Sequence, residues 1–317
     1  MSQAHTLPPR IAPVSFEGFG RDFPHFSETL GASFERFGFA VISDHGIAQA
    51  RIDAALAAAK RFFALPEADK LKYKLPVGGQ RGYTPFGVET AKGEVNYDLK
   101  EFWHVGRDLP PGHPYRSHMA DNVWPDADVA EFHETVGWLY GALDAMGLKV
   151  LEAIAVYLGL DRHFFDGTVD FGNSILRLLH YPPVPFDGPH IRAAAHEDIN
   201  VITLLLGAEE AGLEVLDRDG QWLAVNPPPG ALVCNIGDML QRLTNNRLPS
   251  TTHRVVNPAP ERRGFARYST PFFLHFNSDY LIRTLPNCVD AGHPDRYPTP
   301  ITADAFLQER LREIKLA

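Results

Sequence analysis

The stretch Ala195-His196-Glu197-Asp198-Ile199-Asn200-Val201-Ile202-Thr203-Leu204-Leu205-Leu206 joins a polar segment rich in ligand-bearing side chains to an unbroken apolar run. If the polar part is extended, side chains alternate between faces, so His196 and Asp198 point one way and Glu197 the other. His253, in Ser250-Thr251-Thr252-His253-Arg254-Val255, follows Asp198 by 55 positions, enough chain for several strands to return it beside the first pair. Two histidines and one carboxylate arranged this way form the ligand set of a non-haem Fe(II) oxygenase, with three metal positions left open. A lone His-x-Asp among 14 histidines is more often a surface or hydrogen-bonded core feature, so the reading rests on its surroundings.

Those surroundings are β-rich. From Ser174 onward, short runs at 175–181, 201–206, 213–216, 231–236, 252–256 and 268–276 are bounded by Gly, Pro, Asn or Asp. Regularly spaced short strands with turn residues between them indicate a sandwich or barrel, not a βαβ array. Upstream the period changes. Leu30, Phe34 and Phe37, then Ile52, Leu56, Ala59 and Phe63 ahead of Pro66, recur at helical spacing, so the first third reads as helices with connecting loops. Phe132, Val136, Leu139, Leu143, Met146, Val150 and Ile154 step by threes and fours, predicting one long amphipathic helix that stops near Gly159 and buttresses a sheet. Residues 78–125, rich in Gly, Pro and aromatics, read as irregular loop with a strand or two, and 302–315 as a final helix with Phe306, Leu311 and Ile314 inward. No internal repeat, low-complexity tract or phosphate-binding Gly-rich loop occurs.

A chain of 317 residues, 44% hydrophobic, can bury a large core. Its net charge of -9 offers no basic stripe for a phosphate backbone, so a nucleic-acid partner is not expected. Cys234 and Cys288 make no disulfide framework and no Cys-x-x-Cys pair, which suits a reducing compartment and ferrous iron. With no charged, apolar leader at the N-terminus and no run of membrane-spanning length, a cytoplasmic protein without a membrane partner is expected.

Downstream, in Ala266-Arg267-Tyr268-Ser269-Thr270-Pro271, strand alternation puts Arg267 and Ser269 on one face, and a guanidinium fork beside a hydroxyl is a carboxylate receptor. With His196-x-Asp198, His253 and Arg267-x-Ser269 in that order, the chain resembles the 2-oxoglutarate and Fe(II)-dependent oxygenases of the isopenicillin N synthase-like group. The likeness extends through Trp222 to Asp238, through Asn245 to His253, and upstream to Phe37-Gly38-Phe39-Ala40-Val41-Ile42-Ser43-Asp44-His45-Gly46.

The resemblance implies a mainly β fold with flanking helices: a distorted double-stranded β-helix, or jelly roll, with an N-terminal α/β region and a long buttressing helix. The expected divisions are an N-terminal helical and loop region at 1–125, the buttressing helix and connection at 126–170, and a catalytic core with a C-terminal helix at 171–317. His196, Asp198 and His253 are the expected Fe(II) ligands. Arg267 and Ser269 are expected to anchor the far carboxylate of 2-oxoglutarate. Tyr181, in Leu179-His180-Tyr181-Pro182, matches a family tyrosine that hydrogen-bonds this co-substrate, although Leu179 stands where plant members often carry Asn.

The implied activity couples decarboxylation of 2-oxoglutarate, giving succinate and CO2, to hydroxylation or a related oxidation of a small organic substrate by molecular oxygen, with ascorbate as a reductant. Two other readings stay open on the residues alone: an iron-dependent oxidase that does not use 2-oxoglutarate, and a non-catalytic sensor that binds metal or 2-oxoglutarate. No motif specifies the prime substrate or an oligomeric state.

Several residues are set outside the site. His45 reads as a structural histidine at a helix boundary, and His180 faces opposite to Tyr181. Glu197 faces away from the metal, while Asn200 shares the metal side as a hydrogen-bonding support. Gly237 reads as a turn glycine, and Pro249 and Ser250 as shaping the approach to His253. Tyr83, Phe102, His104 and Arg116 are candidates for a substrate pocket, with loop packing as the plainer reading. The gap of 14 residues from His253 to Arg267 suggests a long hairpin loop, with Arg262 or Arg263 as the anchor if the register slips.

Overall fold

The computed structural model describes residues 10–75, 80–88, 99–117, 119–183, 192–206, 212–258 and 260–313. Among the described residues, eight strands form the main sheet: β1 (Pro13–Ser15), β2 (Phe39–Ser43), β3 (Gly82–Thr84), β4 (Glu101–Gly106), β5 (Ile175–Tyr181), β7 (Ile202–Leu206), β10 (Leu232–Ile236) and β12 (Arg267–Leu274). They lie in the order β1-β2-β10-β7-β12-β5-β4-β3. A second sheet, β6-β11-β8-β9, is built from β6 (Ala193–His196), β8 (Leu213–Leu216), β9 (Trp222–Ala224) and β11 (His253–Val255). Together they make the jelly roll, mainly β with helices packed on one side.

Alternation sorts the main sheet into two faces. Cys234, Leu204, Phe272, Leu176 and Val105 are neighbours across five strands, and all are buried in the large apolar core shared with the helices. That core also takes the inner faces of α2 (Phe23–Phe37), α3 (Gln49–Phe63) and the 26-residue α5 (Phe132–Tyr157). The three-and-four spacing of α5 buries Val136, Leu139, Leu143, Met146, Val150 and Ile154, each such side chain contributing roughly 1.5–3 kcal/mol. Gly159, at φ +73, ends it in the left-handed conformation that L side chains disfavour, and Leu160 N–H closes on the Ala155 carbonyl. Among the described residues, no helix is long and apolar enough to cross a membrane.

The strand runs read from sequence match β5, β7, β8, β10, β11 and β12 to within two residues at either end, and the last helix is Ala303–Glu313. The helical reading of the first third needs correction. Residues Phe39–Ser43 form β2, which lies second from one edge of the main sheet, paired with β1 and β10. Phe39–Ile42, a four-residue apolar run buried on both faces, carries no period that separates strand from helix. Tyr83, Phe102 and His104 likewise sit on paired strands, β3 and β4, not in a loop.

Candidate metal and co-substrate site

The opposite face of the main sheet is turned toward the smaller sheet and carries the polar residues. Its first row, Asn235, Thr203, Phe273, Ile175 and Gly106, runs across five strands. The second holds Val233, Leu205, Pro271, Arg177 and His104; the third Ser269, Leu179, Phe102 and Thr84; the fourth Arg267 and Tyr181.

His196, Asp198 and His253 converge over the first row, with one ligand atom from each lying within 4.8 Å of the others. The expectation of a continuous strand through Asp198 is corrected: β6 ends at His196, and Asp198 lies in irregular backbone. Convergence has two other causes. First, β11 pairs antiparallel with β6, placing His253 directly opposite His196. Second, the chain after Asp198 is clamped by amides opening the short helix α7 (Asp238–Leu243). Asp238 N–H donates to the Asp198 carbonyl at 2.7 Å and Met239 N–H to Asn200 at 3.1 Å, so orphan donors of the helix start hold the loop. Gly237 is glycine because of this approach, since a Cβ there would meet the Asn200 carbonyl oxygen at 2.1 Å. It is a close-contact position, not a turn with positive φ.

The ligand atoms are oriented from behind. His196 Nδ1 lies 2.7 Å from the Ala194 carbonyl and His253 Nδ1 lies 3.1 Å from that of Thr251, so each Nδ1 carries the proton and each Nε2 keeps its lone pair. Asp198 Oδ2 accepts from Thr203 Oγ1 at 2.5 Å and Asn235 Nδ2 at 2.8 Å. Its other oxygen, Oδ1, faces both Nε2 atoms at 3.8 Å. Burial pushes the His196 ring down to about 4, helped by His253, so it is neutral at pH 7. Burial pushes Asp198 up, but His253, His196, Asn235 and Thr203 outweigh it and hold the carboxyl below its ordinary range. Two imidazole nitrogens and one hard anionic oxygen fit a divalent first-row cation.

Arg267 is 2% exposed and directly opposite Tyr181, its guanidinium carbon 5.1 Å from the ring centroid. Ser269 is two residues along on the same face. The alternatives in the preceding loop are placed differently: Arg262 is exposed against Phe265, and Arg263 is half-buried. A short turn at Pro260–Arg262 takes up part of the long interval.

The residues set aside are also located. His45 Nδ1 accepts from Ile47 N–H, away from the metal cluster. His180 lies on the helix side, stacked with Tyr268 and bonded to Glu101. Glu197 is exposed and takes the Thr252 hydroxyl. Asn200 acts one step removed, donating to Thr203 at 3.2 Å. Of the pocket candidates, Phe102 and His104 face the interior, Tyr83 packs on Phe62 on the helix side, and Arg116 bonds Asp121 at the surface. Three polar supports went unread in the sequence: Thr203, Asn235 and His275. The last is buried at the end of β12, close enough to Asp198 to feel its charge, and burial pushes it down to about 4.

Residues 13–127 match the model of a "non-haem dioxygenase in morphine synthesis N-terminal" domain, and residues 172–276 that of the 2OG-Fe(II) oxygenase superfamily. The 2-oxoglutarate-Fe(II) type oxidoreductase hxnY of Emericella nidulans is 36% identical over 317 residues, covering 96% of this chain and 89% of that protein. The chain belongs to the 2-oxoglutarate-Fe(II) oxygenase superfamily. Among solved structures, an oxygenase of this superfamily from Caulobacter crescentus is 69% identical with a TM-score of 0.91, covering 96% of this chain and 99% of that one. A Neurospora crassa protein crystallised with α-ketoglutarate is 30% identical with a TM-score of 0.85, covering 95% and 96%. This oxygenase is therefore a 2-oxoglutarate-dependent dioxygenase that requires Fe(II) and 2-oxoglutarate and acts on a small molecule. The oxidase and sensor readings fall away.

Proposed function

We propose that His196, Asp198 and His253 hold Fe(II), that Arg267, Ser269 and Tyr181 hold 2-oxoglutarate, and that the chain hydroxylates, or oxidises in a related way, a small organic molecule with molecular oxygen. The observation that carries this reading is the division of labour within the triad. Each far atom is tied to the protein, while the two Nε2 atoms and Asp198 Oδ1 turn toward one another.

Bound Fe(II) supplies activation of oxygen, driven by conversion of 2-oxoglutarate to succinate and CO2. The chain's own work is placement. Thr203 and Asn235 fix which Asp198 oxygen faces inward, and the carboxylate offsets part of the cation's charge. The Arg267 fork and Ser269 hydroxyl bind the far carboxylate of the co-substrate, giving a flexible dianion one orientation. A desolvated charged hydrogen bond of this kind contributes about 1.5–3 kcal/mol. Tyr181, 3% exposed, limits the motion of Arg267 and adds a hydroxyl to the anchor. Phe39, Val41 and Val233, buried between the sheets, keep water from the flank of the site.

The test is turnover of 2-oxoglutarate. Protein supplied with Fe(II), ascorbate and oxygen should form succinate slowly without substrate and faster with one. Succinate formation surviving intact in Asp198→Ala or His253→Ala would sink the ligand assignment.

A further inference from the structure

One imidazole on the inner face stands outside both the metal triad and the co-substrate anchor. His275 follows β12 directly, and Phe272, Leu274 and Phe276 around it are buried in the helix-side core, so alternation turns Phe273 and His275 to the inner face. Its backbone is held from behind. The His275 N–H donates to Ser174 Oγ at 3.1 Å, and Gly172 packs so closely that a Cβ there would meet the His275 carbonyl oxygen at 1.9 Å.

Among the described residues the ring has one hydrogen-bond partner, the Phe273 carbonyl, 3.4 Å from Nδ1. Facing a carbonyl, Nδ1 carries the proton. Burial pushes the ring down to about 4, against the pull of the Phe273 carbonyl and Asp198, and Arg81 adds to the depression. A neutral imidazole protonated on Nδ1 offers Nε2 as a hydrogen-bond acceptor and not as a donor. The unpartnered Nε2 of His45 is sealed from solvent, whereas that of His275 is not.

The space it meets is a recess beside the metal cluster. Protein surrounds His196 closely enough for burial to push its ring down to about 4, yet its side chain is 39% exposed. A side chain both desolvated and accessible lines a recess, not an outer surface. In the row beneath, Ile175 and Phe273 are half-buried while their sequence neighbours Leu176, Phe272 and Leu274 are sealed, so the floor of the recess is apolar. Phe273 is directly opposite Thr203, whose hydroxyl bonds Asp198. One strand spacing of about 4.8 Å and one row of about 6.7 Å separate His275 from Thr203, a span that a small molecule lying on Phe273 covers.

We propose that His275 Nε2 accepts a hydrogen bond from the prime substrate, so that the substrate class is a compact molecule with an N–H or O–H donor and an apolar face that rests on Ile175 and Phe273. The proposal rests on the reading that His196, Asp198 and His253 hold the metal and direct oxidation into this recess. An acceptor covered by a ligand that brings no donor stays desolvated without a partner, so the site rejects an isostere lacking the N–H or O–H.

The experiment titrates indole, pyrrole, phenol and cyclohexanol, each beside an isostere without the donor, namely benzofuran, furan, fluorobenzene and fluorocyclohexane. The protein is loaded with Mn(II) and 2-oxoglutarate, and heat is the readout. At least one donor should bind about three- to tenfold tighter than its isostere, the range of a neutral hydrogen bond. His275→Phe should erase that preference while the Kd values for Mn(II) and 2-oxoglutarate stay within about twofold. His275→Gln, whose amide oxygen reaches the position of Nε2, should keep part of it, and His275→Leu serves as the apolar variant if the Phe form does not fold. Isosteres binding as tightly as donors, no donor binding at all, or a preference that persists in His275→Phe would overturn the proposal. So would loss of Mn(II) affinity in His275→Phe as large as in Asp198→Ala, which would make His275 a support of the metal. Wild-type protein that fails to bind Mn(II) would remove the underlying reading, and the proposal with it.

Discussion

Two clusters of histidine and carboxylate lie on opposite faces of this molecule's main sheet, and their hydrogen bonds are arranged in opposite ways. On the helix side, both oxygens of Glu101 are consumed: Oε1 faces His180 Nδ1 at 2.7 Å, and Oε2 takes Lys70 at 2.7 Å and the Tyr83 hydroxyl. On the inner side, Asp198 spends one oxygen on Thr203 and Asn235 and turns the other toward two imidazole nitrogens at 3.8 Å. The same residue types are closed upon themselves in one place and left converging in the other. A buried carboxylate bonded through both oxygens stabilises the fold, whereas one bonded through a single oxygen is prepared for a ligand.

Truncating the inner cluster should separate function from folding most sharply. His196→Ala, Asp198→Ala or His253→Ala should each abolish tight Fe(II) binding and turnover while the protein stays folded, read by metal titration beside circular dichroism. His45→Ala, outside the cluster, should leave iron binding largely intact. Full activity in any of the three ligand variants would break the comparison.

The outer cluster should behave in the reverse way. Glu101 is 1% and Lys70 7% exposed, and removing one partner of a buried pair costs about 3–5 kcal/mol. Glu101→Gln should therefore lower the unfolding free energy by about that amount in urea, with Fe(II) affinity nearly unchanged. Burial pushes the Glu101 carboxyl up, but His180, Lys70 and Tyr83 outweigh it and leave it below its ordinary value. A carboxyl depressed in the folded state stabilises above its unfolded pKa, and that contribution is lost as pH falls through the folded value. Wild-type protein should thus lose stability on acidification with a steeper slope than Glu101→Gln.

Arg267→Ala should raise the apparent KM for 2-oxoglutarate about 10–100-fold, the equivalent of about 1.5–3 kcal/mol of charged hydrogen bonding. Arg267→Lys should rescue this only in part, because an ammonium lacks the bidentate fork. The smallest effect belongs to the support behind the carboxylate. Thr203→Val should weaken Fe(II) binding about 10-fold, the lower end for residues that orient metal ligands, and leave the KM for 2-oxoglutarate almost unmoved.

What could be read beforehand follows from the range of each interaction. His196 and Asp198, like Arg267 and Ser269, announce themselves by residue type and a spacing of two, His253 by its place in the order of these motifs, and α5 by a three-and-four period kept from Phe132 to Ile154. Thr203, Asn235 and His275 are chemically ordinary in sequence. They matter because cross-strand register sets Asn235 opposite Thr203 and Thr203 opposite Phe273, a relation no local pattern encodes. The same holds for Arg177 and His104, 73 residues apart and paired across β4 and β5. Glu101 shows the converse: its neighbours Phe102 and His104 attracted notice in the sequence, while the carboxylate just before them holds the buried charge network.

The most direct measurement is an anaerobic titration of 2-oxoglutarate into Fe(II)-loaded protein, following the weak visible charge-transfer band that forms when the keto acid chelates the iron. Wild-type protein and Glu101→Gln should both develop the band at similar concentrations, Arg267→Ala should need about 10–100-fold more 2-oxoglutarate, and Asp198→Ala should show none. A band in Asp198→Ala equal to that of wild type, or its loss in folded Glu101→Gln, would contradict the assignment of the inner cluster to the metal and the outer one to the fold.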